Sequence, residues 1–411
     1  MASTDQYKND QHFVSFYNFD SDSLGDVKLP SNVEIHDVTL RDGEQQAGVT
    51  FRRDDKIKIA TLLAESGVDR IEAGMPSVSA EDAKVVKEIS HLGLGSRIYV
   101  FARCMKQDVD NAIAADVDGI VMEIPSSDHL IKHAYGWDVE KAVKLSVEAT
   151  SYAHEHGLRV TFFTIDATRA PFDTFWKIAG QVIKEGHMDS FALADTFGAL
   201  NPQATTFFIK KIKSKIDKPV EIHAHNDFGL AVANTISAVL GGASTIHVSL
   251  TGIGERSGNA SLEESVMALK YLYGINTKIN TRMLRSLAVL VRERSGVRFP
   301  NQKPIVGDGI FSVESGILTS WWKRLEKSKM PLEMFPFLPE VVGHSNVEII
   351  NGKKSGIDTI YYKADKFGIK LDESEALTVL RKLKNISLAR KGPISDEELK
   401  ALMDKDPKDV V

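Results

Sequence analysis

The chain has 411 residues, with 51 Lys+Arg against 56 Asp+Glu, so its formal charge is −5 at pH 7. That slightly acidic balance argues against nucleic acid or an anionic membrane surface as partner, and 43% hydrophobic with 26% charged residues is the mixture of a folded globular protein. A single cysteine, Cys104, excludes an internal disulfide and any cysteine-rich metal cluster, which points to a reducing compartment, the cytoplasm by default. In chain order, residues 1–30 are polar and mixed and read as an N-terminal arm. They hold Asp5, Lys8, Asp10 and Asp20 without an apolar core, unlike a secretory signal. No uncharged apolar run of about 18 residues offers a membrane span.

From Val33 onward, short β-branched apolar runs alternate with longer segments of helical period. The predicted strands are Val33–Leu40, Arg70–Met75, Arg97–Ala102, Gly119–Ile124, Arg159–Ile165, Ser190–Ala194, Val220–Ala224 and Thr245–Leu250. Between them, Ser79–Leu92, Val139–Glu155, Phe172–Lys184 and Ala204–Lys215 each carry an apolar stripe and a polar face. Eight βα units in about 250 residues predict an α/β fold, a TIM (β/α)8 barrel over residues 31–280. After Asn280 the alternation stops. A Gly/Pro-punctuated stretch from Pro300 to Glu314 leads to helical patterns such as Glu373–Lys384 and Ser395–Met403, so residues 281–411 are expected to form a helical lid and accessory subdomains.

In such a barrel, chemistry gathers where the βα loops follow the C-terminal strand ends. Strand seven ends in Glu221-Ile222-His223-Ala224-His225, and residues two apart on a strand share a face, so both imidazoles can reach one metal. An isolated His-x-His is equally compatible with two satisfied polar residues. Strand one ends in Thr39-Leu40-Arg41-Asp42-Gly43-Glu44-Gln45, which supplies a hard oxygen ligand at Asp42 and a fixed cation at Arg41, or else a surface ion pair. Strand eight runs into Gly252-Ile253-Gly254-Glu255-Arg256-Ser257-Gly258-Asn259, whose glycines are misplaced for a dinucleotide fingerprint, so no nicotinamide site is expected.

These three motifs, on eight βα units and in this order, resemble those of the DRE-TIM metallolyases, and more closely their Claisen-condensing branch of 2-isopropylmalate, homocitrate and citramalate synthases. The resemblance continues into Gly352-Lys-Lys-Ser-Gly356. It implies a divalent metal (Mn, Mg, Zn or Co) held by Asp42, His223, His225 and Asn259, with a small 2-oxo acid as substrate and an acyl-CoA, acetyl-CoA foremost, as co-substrate. Arg41 and Glu72 are the catalytic candidates: Arg41 would polarise the keto oxygen, while Glu72, on strand two, could orient Arg41 or merely sit satisfied inside the barrel. Thr196 matches the family's carboxylate-binding threonine, while Gln45 and Glu221 occupy substrate-contact or supporting positions. A homodimer without nucleic acid or membrane partner is also implied.

The chain departs from that pattern at two places. Ile165 stands where the synthases usually carry a glutamate, and Leu318 where they carry a lid histidine, so proton transfer has no assigned group; Glu314, His344, Tyr361 and Tyr362 are candidates by their lid location alone. A metal-dependent lyase, aldolase or carboxyl-transfer enzyme and a catalytically silent metal-binding homologue remain alternatives. The lyase branch carries a cysteine in its glycine-rich loop, whereas here Cys104 follows strand three. Lys132 could meet a distal substrate carboxylate or lie exposed on its loop, and Arg103 could contact substrate or form a structural ion pair. Trp321, Trp322, Lys323 and Arg324 could stack on adenine and attract phosphates, or form a core edge.

Overall fold

The computed structural model describes residues 4–25 and 27–404. Two compact units divide the chain, one spanning Phe16–Phe299, the other gathering residues 4–15 and 300–404.

In the first unit eight parallel strands close into a barrel: β1 (Glu34–Asp37), β2 (Arg70–Glu72), β3 (Arg97–Arg103), β4 (Gly119–Pro125), β5 (Arg159–Ile165), β6 (Ser190–Asp195), β7 (Val220–Ala224) and β8 (Thr245–Val248). Each pairs with its successor, and β8 returns to β1 with His247 opposite His36. All eight lie within or almost within the runs expected from sequence. β1 is shorter than its run because Asp37 turns the chain: its carboxylate accepts both the Thr39 N–H at 2.8 Å and the Thr39 hydroxyl at 3.0 Å.

The surrounding helices are α1 (Arg53–Glu65), α2 (Ala80–Ser90), α3 (Lys106–Ala114), α4 (Val139–Glu155), α5 (Phe172–Glu185), α6 (Pro202–Lys213), α7 (Ala231–Gly241), α8 (Leu262–Tyr273) and α9 (Leu284–Ser295). Local chemistry sets their starts. Ser79 caps α2 by accepting from Asp82 N–H, Asp138 caps α4 from Lys141, and Asn201 caps α6 from Ala204 with Pro202 in the first turn. The Asn-Pro pair explains why α6 begins two residues before the predicted Ala204. α9 packs against α1 and the turn Leu250–Gly252, so the boundary expected at residue 280 falls inside the first unit, which ends at Phe299. The expected arm also divides. Phe16–Phe19 packs against α8, while the preceding segment joins the second unit through Phe13 N–H to Pro336 and Leu338 N–H to the Gln11 carbonyl.

Period-2 alternation gives the barrel interior two unlike halves. β3 to β6 direct Tyr99, Phe101, Val121, Phe163, Ala192 and Ala194 into one apolar cluster. β7, β8, β1 and β2 instead bury Glu221, His247, His36, Arg70 and Glu72.

The second unit contains a two-stranded parallel sheet, β9 (Ser312–Val313) with β10 (Glu348–Ile349), and helices α10 (Gly316–Lys327), α11 (Ile357–Phe367), α12 (Glu373–Arg390) and α13 (Asp396–Asp404). Ile360, Leu383 and Leu399 centre one core; Val313, Trp322 and Ile349 centre another. The Gly352–Gly356 motif has a packing reason: a Cβ at Gly356 would lie 2.9 Å from the Gly316 Cα. Among the described residues no helix is long and apolar enough to cross a membrane.

Candidate metal centre at the barrel mouth

β1 ends in a four-residue helical turn, Asp42–Gln45, that buries Asp42. One oxygen of Asp42 accepts the Glu255 N–H at 3.0 Å; the other faces His223 Nε2 at 3.1 Å and His225 Nε2 at 3.7 Å. The two Nε2 atoms are 3.2 Å apart. His225 Nδ1 lies 3.2 Å from the Gly258 carbonyl, which can only accept, so the proton sits on Nδ1 and the Nε2 lone pair turns toward Asp42 and His223. Burial holds both imidazoles below their ordinary range, His225 at about 4 with the help of His223, so both are neutral at pH 7. Burial works to raise Asp42, but Arg41 and the two imidazoles outweigh it and hold the carboxyl well below the usual range.

Asn259 approaches from the β8 loop, where it bridges to His225. Its Nδ2 donates to the Ile253 carbonyl at 3.1 Å, leaving Oδ1 buried and without a partner. The glycines of that loop are obligatory here. A Cβ at Gly254 would collide with the Asn259 side chain and stand 3.0 Å from Asp42 Oδ1, and Gly258 combines φ +85 with an approach to the Gly252 carbonyl that no Cβ permits. One ionised carboxylate, two neutral imidazoles and an orphaned amide oxygen are the donor set a divalent cation takes, so the residues present fit such an ion.

Arg41 is fixed beside this set. Its Nε bonds Glu72, its Nη1 donates to Gln45 at 2.9 Å and lies 3.4 Å from Asp42, and its guanidinium carbon sits 4.0 Å over the Phe101 ring. Nη2 is buried without a partner. Glu72 has its other oxygen 2.9 Å from His36 Nε2, so both its oxygens are taken, and it holds Arg41 in position. A cavity of about 420 Å3 lined by Arg41, Gln45, Leu40 and Met75 opens alongside.

Other expected residues are placed differently. Glu221 lies at the opposite end of β7 from His225, fully buried, with one oxygen 2.6 Å from Arg70 and the other 2.7 Å from His247. It therefore braces the barrel interior, one pleat repeat below His223. Arg103 closes its guanidinium fork on Asp108 at 2.8 and 2.9 Å, a structural ion pair. Lys132 is exposed on the short helix Asp128–His133. Thr196, at the end of β6, accepts the Asp166 N–H at 2.8 Å on its hydroxyl oxygen, leaving its own hydrogen to donate. In the second unit Glu314 accepts the Lys354 N–H and the Tyr362 hydroxyl lies 3.3 Å from Glu326. Trp322 is core while Trp321 is exposed, so the aromatic-basic cluster splits across α10.

Two features went unread in the sequence. His36 and His247 stack 4.3 Å apart inside the barrel, and Glu123 faces inward from β4. Both were signalled by polar residues at period 2 within otherwise apolar strands.

The HMGL-like family profile matches residues 32–291. Homocitrate synthase AksA of Methanocaldococcus jannaschii is 39% identical over 376 residues, covering 91% of this chain and 91% of that protein. A protein of Ignicoccus hospitalis named "Probable 2-isopropylmalate synthase" is 40% identical over 362 residues, covering 87% of this chain and 88% of its own length. Hydroxymethylglutaryl-CoA lyase from Pseudomonas aeruginosa shares the fold with a TM-score of 0.59 at 22% identity, over 66% of this chain and 95% of that one. The motifs at the three strand ends, the closed barrel and these matches agree: the chain belongs to the HMGL-like, DRE-TIM family, with condensing synthases among its relatives.

Proposed function

We propose that the protein catalyses a metal-dependent Claisen condensation of an acyl-CoA, with acetyl-CoA as the donor, and a small 2-oxo acid, giving a 2-alkylmalate-type product and free CoA. The convergence of Asp42, His223 and His225 beside the fixed guanidinium of Arg41 carries this reading, and the names of the relatives support it. Asp42, His223, His225 and Asn259 would hold the ion, which when bound supplies Lewis acidity toward a chelating 2-oxo acid. Arg41 stands ready to stabilise negative charge developing on the keto oxygen, in a mouth where Phe101 excludes water from one guanidinium face. Glu72 and Gln45 hold that guanidinium in place. The Thr196 hydroxyl hydrogen is left for the substrate carboxylate. A lyase working through a thiol finds no support at Cys104, which is buried and whose thiol burial pushes well above its ordinary range. The same reading takes the enzyme as a cytoplasmic homodimer.

Mixing the metal-loaded protein with a panel of 2-oxo acids and acetyl-, propionyl- or malonyl-CoA, and following free thiol, tests it. Thiol release is expected with an acyl-CoA only when its 2-oxo acid partner is present; no release from any pair would sink the condensation. His223→Ala should lose bound metal by equilibrium dialysis. Arg41→Ala should keep metal and lose about 10²–10³ in kcat.

A further inference from the structure

We propose that Glu123 is the proton-transferring group of this site, its carboxylate taking the α-proton of the acyl thioester and returning it to the alkoxide formed at the keto carbon. The inference rests on the condensation reading and supplies the group which that reading lacks. Forming a thioester enolate requires a base, and quenching an alkoxide requires an acid; one carboxyl can serve both if its affinity for the proton is near neutral.

The carboxylates around the mouth are otherwise engaged. Asp42 belongs to the metal set. Glu72 is held by Arg41 and His36. Asp166 is held by Ser127, His129 and Arg169, and Asp195 by the Thr168 hydroxyl and two backbone N–H groups. Glu44 is paired with Lys56, and Glu255 lies half-exposed against Arg256. The Glu123 carboxylate has no hydrogen bond or ion pair among the described residues; its backbone carbonyl accepts the Cys104 N–H at 3.2 Å.

Its position is set by the pleat. Val121 belongs to the apolar interior cluster, and Glu123, two residues on, shares that face one step nearer the mouth. It stands in register with Arg103 on β3 and Phe163 on β5, and the Phe163 ring centroid is 5.3 Å from that of His223. The residue is only partly buried, so a ligand can reach it. The charged and titratable groups acting on it are Arg41, Arg103, Asp108, Glu255 and Tyr135. Burial against the apolar wall exceeds the pull of the two arginines, and Asp108 and Glu255 add to it, pushing the carboxyl up to about 7. Tyr135 is itself pushed up to about 12 by burial and the Glu123 charge, so it stays protonated and does not compete as a base.

The step balances. The thioester Cα–H bond breaks as an O–H bond forms on Glu123, and the C–H electron pair enters the enolate. The enolate carbon then bonds the keto carbon, whose C=O π pair moves onto oxygen, and the Glu123 proton passes to that oxygen, restoring the carboxylate. Water subsequently hydrolyses the thioester, releasing CoA thiol.

The test compares the metal-loaded wild type with Glu123→Gln and Glu123→Asp, using the acyl-CoA and 2-oxo acid pair on which the wild type is most active. Glu123→Gln should lose 10²–10⁴ in kcat, while bound metal and the Kd for the 2-oxo acid stay within twofold. It should also lose exchange of the thioester α-protons with D2O in the presence of a 2-oxo acid analogue that cannot be attacked. Glu123→Asp should recover part of both. The wild-type kcat/KM should rise through an acid limb near pH 7 that is absent from the residual Glu123→Gln activity. Glu123→Gln with kcat within threefold of wild type and the same acid limb would overturn the assignment, as would an activity loss that only tracks lost metal or 2-oxo acid binding. A wild type that releases no thiol with any pair would overturn the condensation itself, a result plainly distinct from an active wild type indifferent to the substitution.

Discussion

The interior of the barrel is divided between two halves that are filled by opposite means. Along β3 to β6 the inward positions are filled by rings and small apolar residues, Phe101 and Phe163 meeting edge to face at 5.6 Å. Along β7, β8, β1 and β2 they carry a run of polar and ionisable side chains that continues from the mouth inward: Asp42, Arg41, Glu72, His36, then His247, Glu221 and Arg70, which reaches the part-exposed Glu34. Burying such a chain stabilises a fold little better than apolar packing would. Its benefit lies at the top, where each member fixes the next and the last one fixes Arg41 beside the metal set. The apolar half does the complementary thing, holding a poorly solvated wall against which the Glu123 carboxyl is pushed up to about 7, where it can both take and return a proton.

Removing one partner from the charged half should have the largest effect. Arg70→Met leaves Glu221 fully buried with only His247 against it, and should cost about 3–5 kcal/mol, read as a lowered urea midpoint of the barrel unit. Arg70→Met with Glu221→Leu should recover most of that, since no charge is then stranded. Equal losses in the single and double variants would show that the pair is not what the interior depends on. In the apolar half, Phe163→Leu leaves a small void but strands no charge and should cost less, about 1–2 kcal/mol.

Much of this division was legible in the sequence, though not its consequence. The eight strands announced themselves as β-branched runs, and the metal set did so because Asp42, His223 and Asn259 lie at or just beyond strand ends, where a barrel exposes its residues. Glu221 and Arg70 could not be paired by inspection, because they are 151 positions apart and only the closed register brings β2 and β7 into reach of one another. Glu221 therefore read as a mouth residue when it is a floor residue. Arg103 was open to either reading until Asp108, five residues on, proved to take its whole fork. Glu123 was hidden in the apolar run Gly119–Ile124, where a lone carboxylate on an inward step was the signal. The end of the barrel unit at Phe299 was obscured because α9 lacks a following strand, and only its packing on α1 assigns it.

The halves should also separate by pH. In the charged half, burial opposes ionisation of Glu72, but Arg41 and His36 outweigh it and bring its carboxyl down to about 2, against 4.5 when free. Burial and His36 bring His247 down to about 4, against 6.5. Both leave the unfolded chain binding more protons than the native one. The stability these two groups contribute is therefore complete above pH 6.5 and falls as His247 is forced to charge between 6.5 and 4, then falls further, by about 3 kcal/mol for Glu72 alone, between 4.5 and 2. Urea midpoints taken from pH 7 to pH 3 should trace that decline, and Glu72→Gln should flatten its lower part. A midpoint constant over the whole range would contradict the ionised, paired interior.

Glu123 should run the other way. Its carboxyl is pushed up to about 7 in the folded chain and ionises near 4.5 in the unfolded one. Between those values the native state binds the extra proton, so this residue's contribution to stability is present in acid and lost as pH rises through 7. Glu123→Gln removes the buried charge and should raise the urea midpoint at pH 8, by about 1–2 kcal/mol once partial hydration of the site is allowed for, with the gain shrinking toward zero by pH 5. A variant that is more stable at pH 8 yet nearly inactive is what a carboxylate held there for its chemistry should produce, since a residue kept for packing would lose stability when replaced. If the midpoint at pH 8 is unchanged or lower, the apolar half is not what raises this carboxyl, and the contrast between the two walls no longer explains where the proton is kept.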